Sequence, residues 1–299
     1  MRIMIEASGS LVSGYLIKAI QEAGHTAVAS DIDVANHGTV LADDFIKMPR
    51  VSAPDLWQQT EELLGAHRVD IVIPSLDETL VGWAERREHF SALGIHIILS
   101  DAETVAIFQD KWRTYEFFRR AGIPTPATSL TQNHWVVKPR LGRGGKGIYM
   151  GDAPQDMTDM ISQEFIQGTE YTCDCFFDRN NEPVYIVPRR RDSVVDGKSL
   201  KGITVRHERI DAHIRRIGSQ IALRGPVNFQ CIETAEGELF FIECNPRIAG
   251  GMALGFAASE NWIALIASNL VRGEDVTPKP VCYDLRMVRY YAECFIPAS

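Results

Sequence analysis

No apolar run in this 299-residue chain approaches the roughly 18–20 residues that a membrane-spanning helix needs. The opening MRIMIEASGS is interrupted by Glu6 after a short apolar stretch, too soon for the core of a signal peptide. A general excess of positive charge is also missing. With 31 basic and 39 acidic residues the net charge is −8, so nothing draws the whole surface to nucleic acid or anionic lipid. Any phosphate binding must come from a local basic site. Disulfide and zinc patterns are lacking as well. The six cysteines lie scattered in apolar runs, and Cys173-Asp174-Cys175 has neither zinc-knuckle spacing nor a nearby histidine. These absences predict buried, reduced thiols and a cytoplasmic protein that binds neither nucleic acid nor membrane. Internal repeats and low-complexity linkers are absent too. At ~100–150 residues per domain, the length suits two or three packed units.

What is present begins as alternating β and α segments. RIMIEA, TAVASDID, DFIKMP, VDIVIPS and GIHIILS read as strands. Leu11–Ala23, a segment opening at Ser52-Ala53-Pro54, and Thr79–Leu93 have helical spacing. Residues 1–100 are therefore expected to form a doubly wound, Rossmann-like α/β domain. Its first turn contains Gly9 and Gly14 but matches neither GxGxxG nor a Walker loop. Asp31 after the second strand is a candidate ribose ligand. Asp77 and Glu78 at the end of IVI are candidates for an amine, or simply first-turn acids of a helix.

After a helix at about Lys111–Arg120 the period changes to that of antiparallel strands: HWVVKP, GIYM, ISQEFIQ, YTCDCFFD and EPVYIVP. A helix from about Ala212 to Leu223 precedes a hairpin whose linker carries Gly237, and a further helix covers Ser259–Val271. In the hairpin's second strand, FFIECNPR, Glu243, Asn245 and Arg247 are spaced by two and so share a face. Asn228 and Gln230 repeat that period in the first strand. Pairing brings carboxylate and amide oxygens together as hard ligands suited to Mg²⁺, with an arginine beside them for phosphate. The loop Arg140–Gly147, with four glycines, Arg143 and Lys146, lies between two strands. That context excludes both the Rossmann and P-loop readings, but its backbone N–H groups are able to nest phosphate oxygens. Lys138 just upstream points a cation inward from its strand, and Lys111 follows an aspartate at a helix head. In Arg189-Arg190-Arg191, alternation sends Arg189 and Arg191 to one face. Arg191 and Lys201 are the candidates to grip a substrate carboxylate, against a solvated basic loop as the other reading. His207 is read as surface, or as a base for an incoming amine.

In order along the chain, DK at 110–111, VVKPRLGRGGKG, QEFIQGTEY, NFQ and IECNPR resemble the ATP-grasp superfamily, and within it the carbamoyl phosphate synthase-like, carboxylate–amine ligase branch. The likeness covers nearly the whole chain. It implies a pre-ATP-grasp domain over 1–100 and an ATP-grasp domain over 101–299, with a lid subdomain at about 125–165 and a C-terminal subdomain over 166–299. It implies Lys111 and Lys138 at the α- and β-phosphates, and Gly142, Gly144, Gly145, Lys146 and Gly147 as a lid over the triphosphate. Glu164, Phe165 and Ile166 would be the adenine hinge and Glu170 the ribose carboxylate. Gln230, Glu243 and Asn245 would hold Mg²⁺, as two ions with Mn²⁺ as a substitute, and Arg247 would face the transferred phosphate. Gln230 stands where many relatives carry an acid. The glutaminase and second synthetase half of a carbamoyl phosphate synthase are absent, which argues against carbamoyl phosphate as product. The expected activity joins a small-molecule carboxylate to an amine through an acyl-phosphate, releasing ADP and phosphate. Phosphorylation of a small carboxylate, or a non-catalytic ATP-binding module, are the rivals. A homodimer is the family-level expectation.

Overall fold

A computed structural model describes residues 1–10, 13–142, 144–195, 198–290 and 292–296, with the side chains of residues 193–200 outside the description. The readings that fell on Leu11, Val12, Arg143 and Gly197 lie outside the described residues.

The first hundred residues build a five-stranded sheet from β1 (Arg2–Ile5), β2 (Thr26–Asp31), β3 (Asp44–Lys47), β4 (Ile71–Ile73) and β5 (His96–Ile97), in the order β3-β2-β1-β4-β5. Every pairing is parallel. Ile3, Met4 and Ile5 are buried on both faces, as a central parallel strand requires. Helices α1 (Ser13–Glu22), α2 (Gly38–Leu41), α3 (Leu56–Ala66), α4 (Leu80–Glu85) and α5 (Arg87–Ala92) complete the layers. The single helix expected over Thr79–Leu93 is a 3₁₀ turn at Asp77–Thr79 followed by α4 and α5, broken at Arg86.

Strand order reverses between β1 and β4, where α/β sheets commonly leave a ligand crevice. Here Glu6 fills it. Its buried carboxylate accepts from Ser75 N (3.0 Å), Leu76 N (2.9 Å), Thr79 Oγ1 (2.8 Å) and Trp83 Nε1 (3.0 Å). That set of bonds fixes the loop that carries Asp77.

Two helices follow, α6 (Ala102–Gln109) and α7 (Lys111–Arg120). Asp110 caps α7 by accepting from Trp112 N at 2.8 Å. A four-stranded antiparallel sheet then forms from β6 (Thr128–Ser129), β7 (Val136–Pro139), β8 (Tyr149–Met150) and β9 (Met160–Gln163), in the order β6-β9-β7-β8.

The remaining chain makes β10 (Thr169–Phe177), β11 (Pro183–Val195), β12 (Lys198–Thr204), α8 (Glu208–Gly218), β13 (Gly225–Glu233), β14 (Leu239–Asn245), α9 (Ala253–Ala258), α10 (Trp262–Leu265), a π-helical stretch at Ile266–Val271, and β15 (Arg286–Val288). Its sheet is antiparallel, in the order β14-β13-β10-β11-β12-β15. The Arg189–Arg191 run continues β11 instead of starting a loop, and the following lysine-rich segment is β12. A basic, glycine-containing composition hid that strand from propensity, because ladder partners on both sides decided it. Helix α8 begins a turn earlier than expected because His207 Nδ1 accepts from Ile210 N at 3.3 Å. The other ring nitrogen faces Glu233 Oε1 at 3.3 Å, so His207 is a cap and not a base for an amine.

One face of this sheet is apolar where α7 and α8 cover it. Cys173, Cys175, Cys231 and Cys244 join Phe177, Phe229 and Phe241 against α7 and α8, and burial holds all four thiols above their ordinary range. All six cysteines are free. The other face changes character along its length. Phe176, Tyr185 and Val187 pack with Trp262, Phe256 and the α1 side of the parallel sheet. Beyond them the same strands present Asp174, Arg189, Glu170 and Arg191. That polar end is where the predicted site residues gather. Among the described residues no helix is long and apolar enough to cross a membrane.

Candidate active site

The hairpin pairs as its spacing predicts. Gln230 lies opposite Glu243 and Asn228 opposite Asn245, with a register shift between Gln230 and Cys231 and Gly237 at φ 83° in the turn. Since β13 also pairs with β10, a row crosses the sheet from Glu243 through Gln230 and Thr172 to Arg189. A second row runs Asn245, Asn228, Asp174. Gln230, Glu243 and Asn245 are half-buried, open enough to meet a ligand.

Asn228 departs from its expected role. Its amide donates to Asp174 Oδ1 at 2.7 Å and lies 3.4 Å from Cys173 O, and the side chain is 1% exposed. Asp174 also accepts Arg189 Nε at 2.8 Å and Nη2 at 3.2 Å, and this ion pair is almost wholly enclosed. Asn228 therefore completes a structural cluster. The signal for Asp174 was present in sequence: Glu170, Thr172 and Asp174 repeat with period two along one strand. Cysteines on the alternate positions drew the reading to the other face.

Arg247 reaches across to the parallel-sheet domain. Its Nε and Nη2 donate to the two oxygens of Asp77 at 2.5 and 2.9 Å, and Nη2 also lies 3.3 Å from Asn245 Oδ1. Burial by itself would lower the Arg247 pKa, but the Asp77 carboxylate outweighs it and holds the guanidinium above its ordinary value. Asp77 is thus a fork-shaped partner for Arg247 and not a free acceptor for an amine. Gly9 N donates to Asp31 Oδ2 at 2.8 Å, tying this ribose candidate to the first loop.

The two lysines belong to β7 and to the head of α7. Lys138 on β7 donates to Gln163 Oε1 at 2.8 Å, and Gln163 Nε2 donates to Thr128 Oγ1 at 3.0 Å. Burial pulls the Lys138 ammonium from its ordinary 10.5 down to about 8; Glu243 raises it and Lys111 lowers it further. Lys111 Nζ donates to Gly142 O at 3.0 Å and so ties the base of the glycine loop to the head of α7. Gly142, Gly144, Gly145 and Gly147 all have positive φ, a backbone that side chains with a Cβ rarely adopt. Lys146 is exposed among them.

Glu164, Phe165 and Ile166 join β9 to β10, at the junction of the two antiparallel sheets. Glu164 N donates to Ala127 O at 2.8 Å and its carboxylate accepts from Ala127 N at 3.2 Å, while Phe165 is half exposed. Glu170 forms an ion pair with Arg191 Nη1. Gly202 pairs across from Arg191, so strand alternation directs the adjacent Lys201 to the opposite face. Arg191 is the better placed of the two basic candidates.

A family model described as ATP-grasp in the biosynthetic pathway with Ter operon matches residues 156–292, and one described as PylC-like, N-terminal domain matches residues 3–98. The ATP-grasp model thus matches the C-terminal part of the chain, in agreement with the resemblance carried by the motifs. It is 22% identical over 298 residues to the carbamoyl phosphate synthase large chain of Neisseria meningitidis, covering 86% of this chain and 28% of that one. For the Thermoplasma acidophilum large chain the identity is 23% over 324 residues, with coverage of 91% and 30%. The chain thus spans less than a third of the length of these curated relatives. Among solved structures, the biotin carboxylase domain dimer of Hydrogenobacter thermophilus 2-oxoglutarate carboxylase, in complex with MgADP, ADP and bicarbonate, superposes with a TM-score of 0.74 at 16% identity, over 95% of this chain and 73% of that one. N5-carboxyaminoimidazole synthetase from Staphylococcus aureus with ADP gives 0.73 at 14%, over 92% and 78%. At such identities the likeness is one of fold. Sequence reasoning missed the ties that hold the site: Gln163 to Lys138, Asp110 to Arg140, Asp77 to Arg247, and the Glu6 cluster behind Asp77.

Proposed function

We propose that the chain is an ATP- and Mg²⁺-dependent ligase joining a small-molecule carboxylate to an amine, with release of ADP and phosphate. The observation that carries this reading is the direct pairing of Gln230 with Glu243 on a half-buried face, with Asn245 two residues on and Arg247 held beside it by Asp77. One carboxylate and two amide oxygens are hard donors that fit a hard divalent cation. Among the described residues no cluster of three histidine, cysteine or acidic side chains offers a rival site. When bound, Mg²⁺ (two ions in the reading favoured, Mn²⁺ serving in its place) neutralises phosphate-oxygen charge.

The residues then divide the work. Lys111 and Lys138 hold the α- and β-phosphates, and the Gly142–Gly147 loop covers them. Glu164–Ile166 meet adenine, and Glu170 exchanges its bond to Arg191 for the ribose hydroxyls. A substrate carboxylate oxygen bonds to the γ-phosphorus as the bond to ADP breaks. The amine nitrogen next attacks the acyl carbon, the C–O bond to phosphate breaks, and the amine proton departs. Arg247 steadies negative charge on the acyl-phosphate; Arg191 orients the acid, with Lys201 the more distant candidate. The division into domains near residue 100, with the lid at about 125–165, and a homodimeric assembly belong to the same proposal.

A panel of carboxylates and amines tests it. Phosphate release is expected only when both partners are present, with a condensed product one water lighter by mass spectrometry. ADP formed with the acid alone, without a matching amount of free phosphate, would favour acid phosphorylation instead. No release with any pair would leave an ATP-binding module.

The depressed Lys138 pKa yields a pH prediction. A triphosphate beside this ammonium raises its pKa, so binding takes up a proton wherever free Lys138 is deprotonated. ATP affinity in metal-free buffer is therefore expected to be flat below about pH 8 and to fall above it, by up to about tenfold per pH unit. Lys138→Arg should flatten the curve above pH 8. Calorimetry in buffers of different ionisation enthalpy reads the proton directly; no uptake at pH 9 would remove Lys138 from the phosphate site.

A further inference from the structure

A cavity of about 420 Å³ opens between α1 and the segment following β14, with the end of β15, Arg289, Tyr290 and Ala292 on a third side. Its size is that of a small-molecule pocket. Tyr15 and Phe256 line it, meeting edge to face with ring centroids 5.4 Å apart. Ile248 and Met252 add buried apolar surface. The charged residues lining it are Lys18, whose Nζ lies 3.7 Å from Glu22 Oε1, and Arg289; no described acidic residue lines it.

The polar end abuts the candidate active site. Arg289 donates to Gly250 O, two residues beyond Ile248. Behind the same turn, Arg189 packs onto Gly251 so tightly that a Cβ there would overlap its guanidinium. Burial, and then the charge of Arg189, holds the Arg289 pKa below its ordinary value. Arg189 stands in the row of Gln230 and Glu243, two strands from Gln230, or about 10 Å at the usual strand spacing. Arg189 Nη1 and Thr172 Oγ1 of that row are buried and have no hydrogen-bond partner.

We infer that this cavity receives a monocarboxylic acid with an aromatic or branched apolar body, the body against Tyr15, Met252 and Phe256 and the carboxylate at Arg289. The cationic lining turns away a free ammonium, so the amine enters elsewhere. Ligation requires the carboxylate to pass from Arg289 to Arg191 and the Glu243 face, so a role for the bound acid as the group that is ligated rests on the ligase reading; its binding does not.

Isothermal titration of the full chain without ATP tests the site, with 3-phenylpropanoate, its neutral amide and 3-phenylpropylamine as probes. The acid is expected to bind, the amide at least tenfold more weakly, and the amine not at all. Arg289→Gln should weaken the acid at least tenfold, and Ala253→Trp, which fills the cavity, should abolish binding; thermal melting and ATP affinity serve as fold controls. If Ala253→Trp does not fold, Arg289→Gln decides. No binding at millimolar acid, equal affinity in the variants, or an amine that binds as tightly would overturn the assignment. Acid binding without phosphate release from any pair would support the cavity and refute ligation. Phosphate release with a polar acid, untouched by Arg289→Gln, would spare the ligase and refute the cavity as the site of the ligated acid.

Discussion

Glu243→Ala is expected to lower ADP formation on the order of 10³-fold, to background, while the protein still folds. The magnitude is that of removing a group aimed at charge in the transition state. Of the three proposed metal ligands, Glu243 alone carries a charge, so its loss leaves two amides that bind Mg²⁺ weakly. Folding should survive because the side chain is half-buried and the β13–β14 ladder is made by backbone. A linked effect is specific to this geometry. Glu243 raises the pKa of Lys138. Without it the ammonium loses its proton more easily, and the fall in metal-free ATP affinity should begin below pH 8. Turnover within tenfold of wild type would refute the metal role of Glu243. An unchanged pH profile would refute its coupling to Lys138.

The second large effect concerns stability. Asp174→Ala leaves Arg189 as a buried, unpaired guanidinium and takes away a partner of Asn228. Breaking a buried ion pair by removing one member typically costs about 3–5 kcal/mol. For a chain of this size that corresponds to a loss of roughly 10 °C in Tm. Replacing both partners, as Asp174→Leu with Arg189→Met, should recover much of the loss because no charge is then stranded. Denaturant unfolding of the two variants reads the difference. A single-variant loss below about 1 kcal/mol would mean that water reaches the pair.

Much of the architecture was legible from periodicity. VDIVIPS and RIMIEA read as strands and are so, with Ile71–Ile73 and Ile3–Ile5 buried, and α7 spans the expected Lys111–Arg120. The hairpin that pairs Gln230 with Glu243 followed from spacing by two and a glycine turn. Where ladder partners or caps outweighed composition, the reading failed. Lys198–Thr204 has a loop's composition yet is a strand, because β11 and β15 both pair with it. The start of α8 was missed because its cap is a histidine and not one of the usual short polar residues.

The sequence by itself determined which residues share a face, since alternation and helical spacing are local properties of the backbone. It thereby determined the gathering of Glu243, Asn245 and Gln230, and the family to which their order along the chain belongs. Which of the polar groups face a ligand and which are consumed by neighbours was decided only by tertiary structure. Asn228 and Gln230 look equivalent in the chain, but Asn228 lies opposite Asp174 and is spent on it, whereas Gln230 is not. Arg247 meets Asp77 from 170 residues away. No local pattern encodes such a pairing, because it depends on how one sheet packs against another.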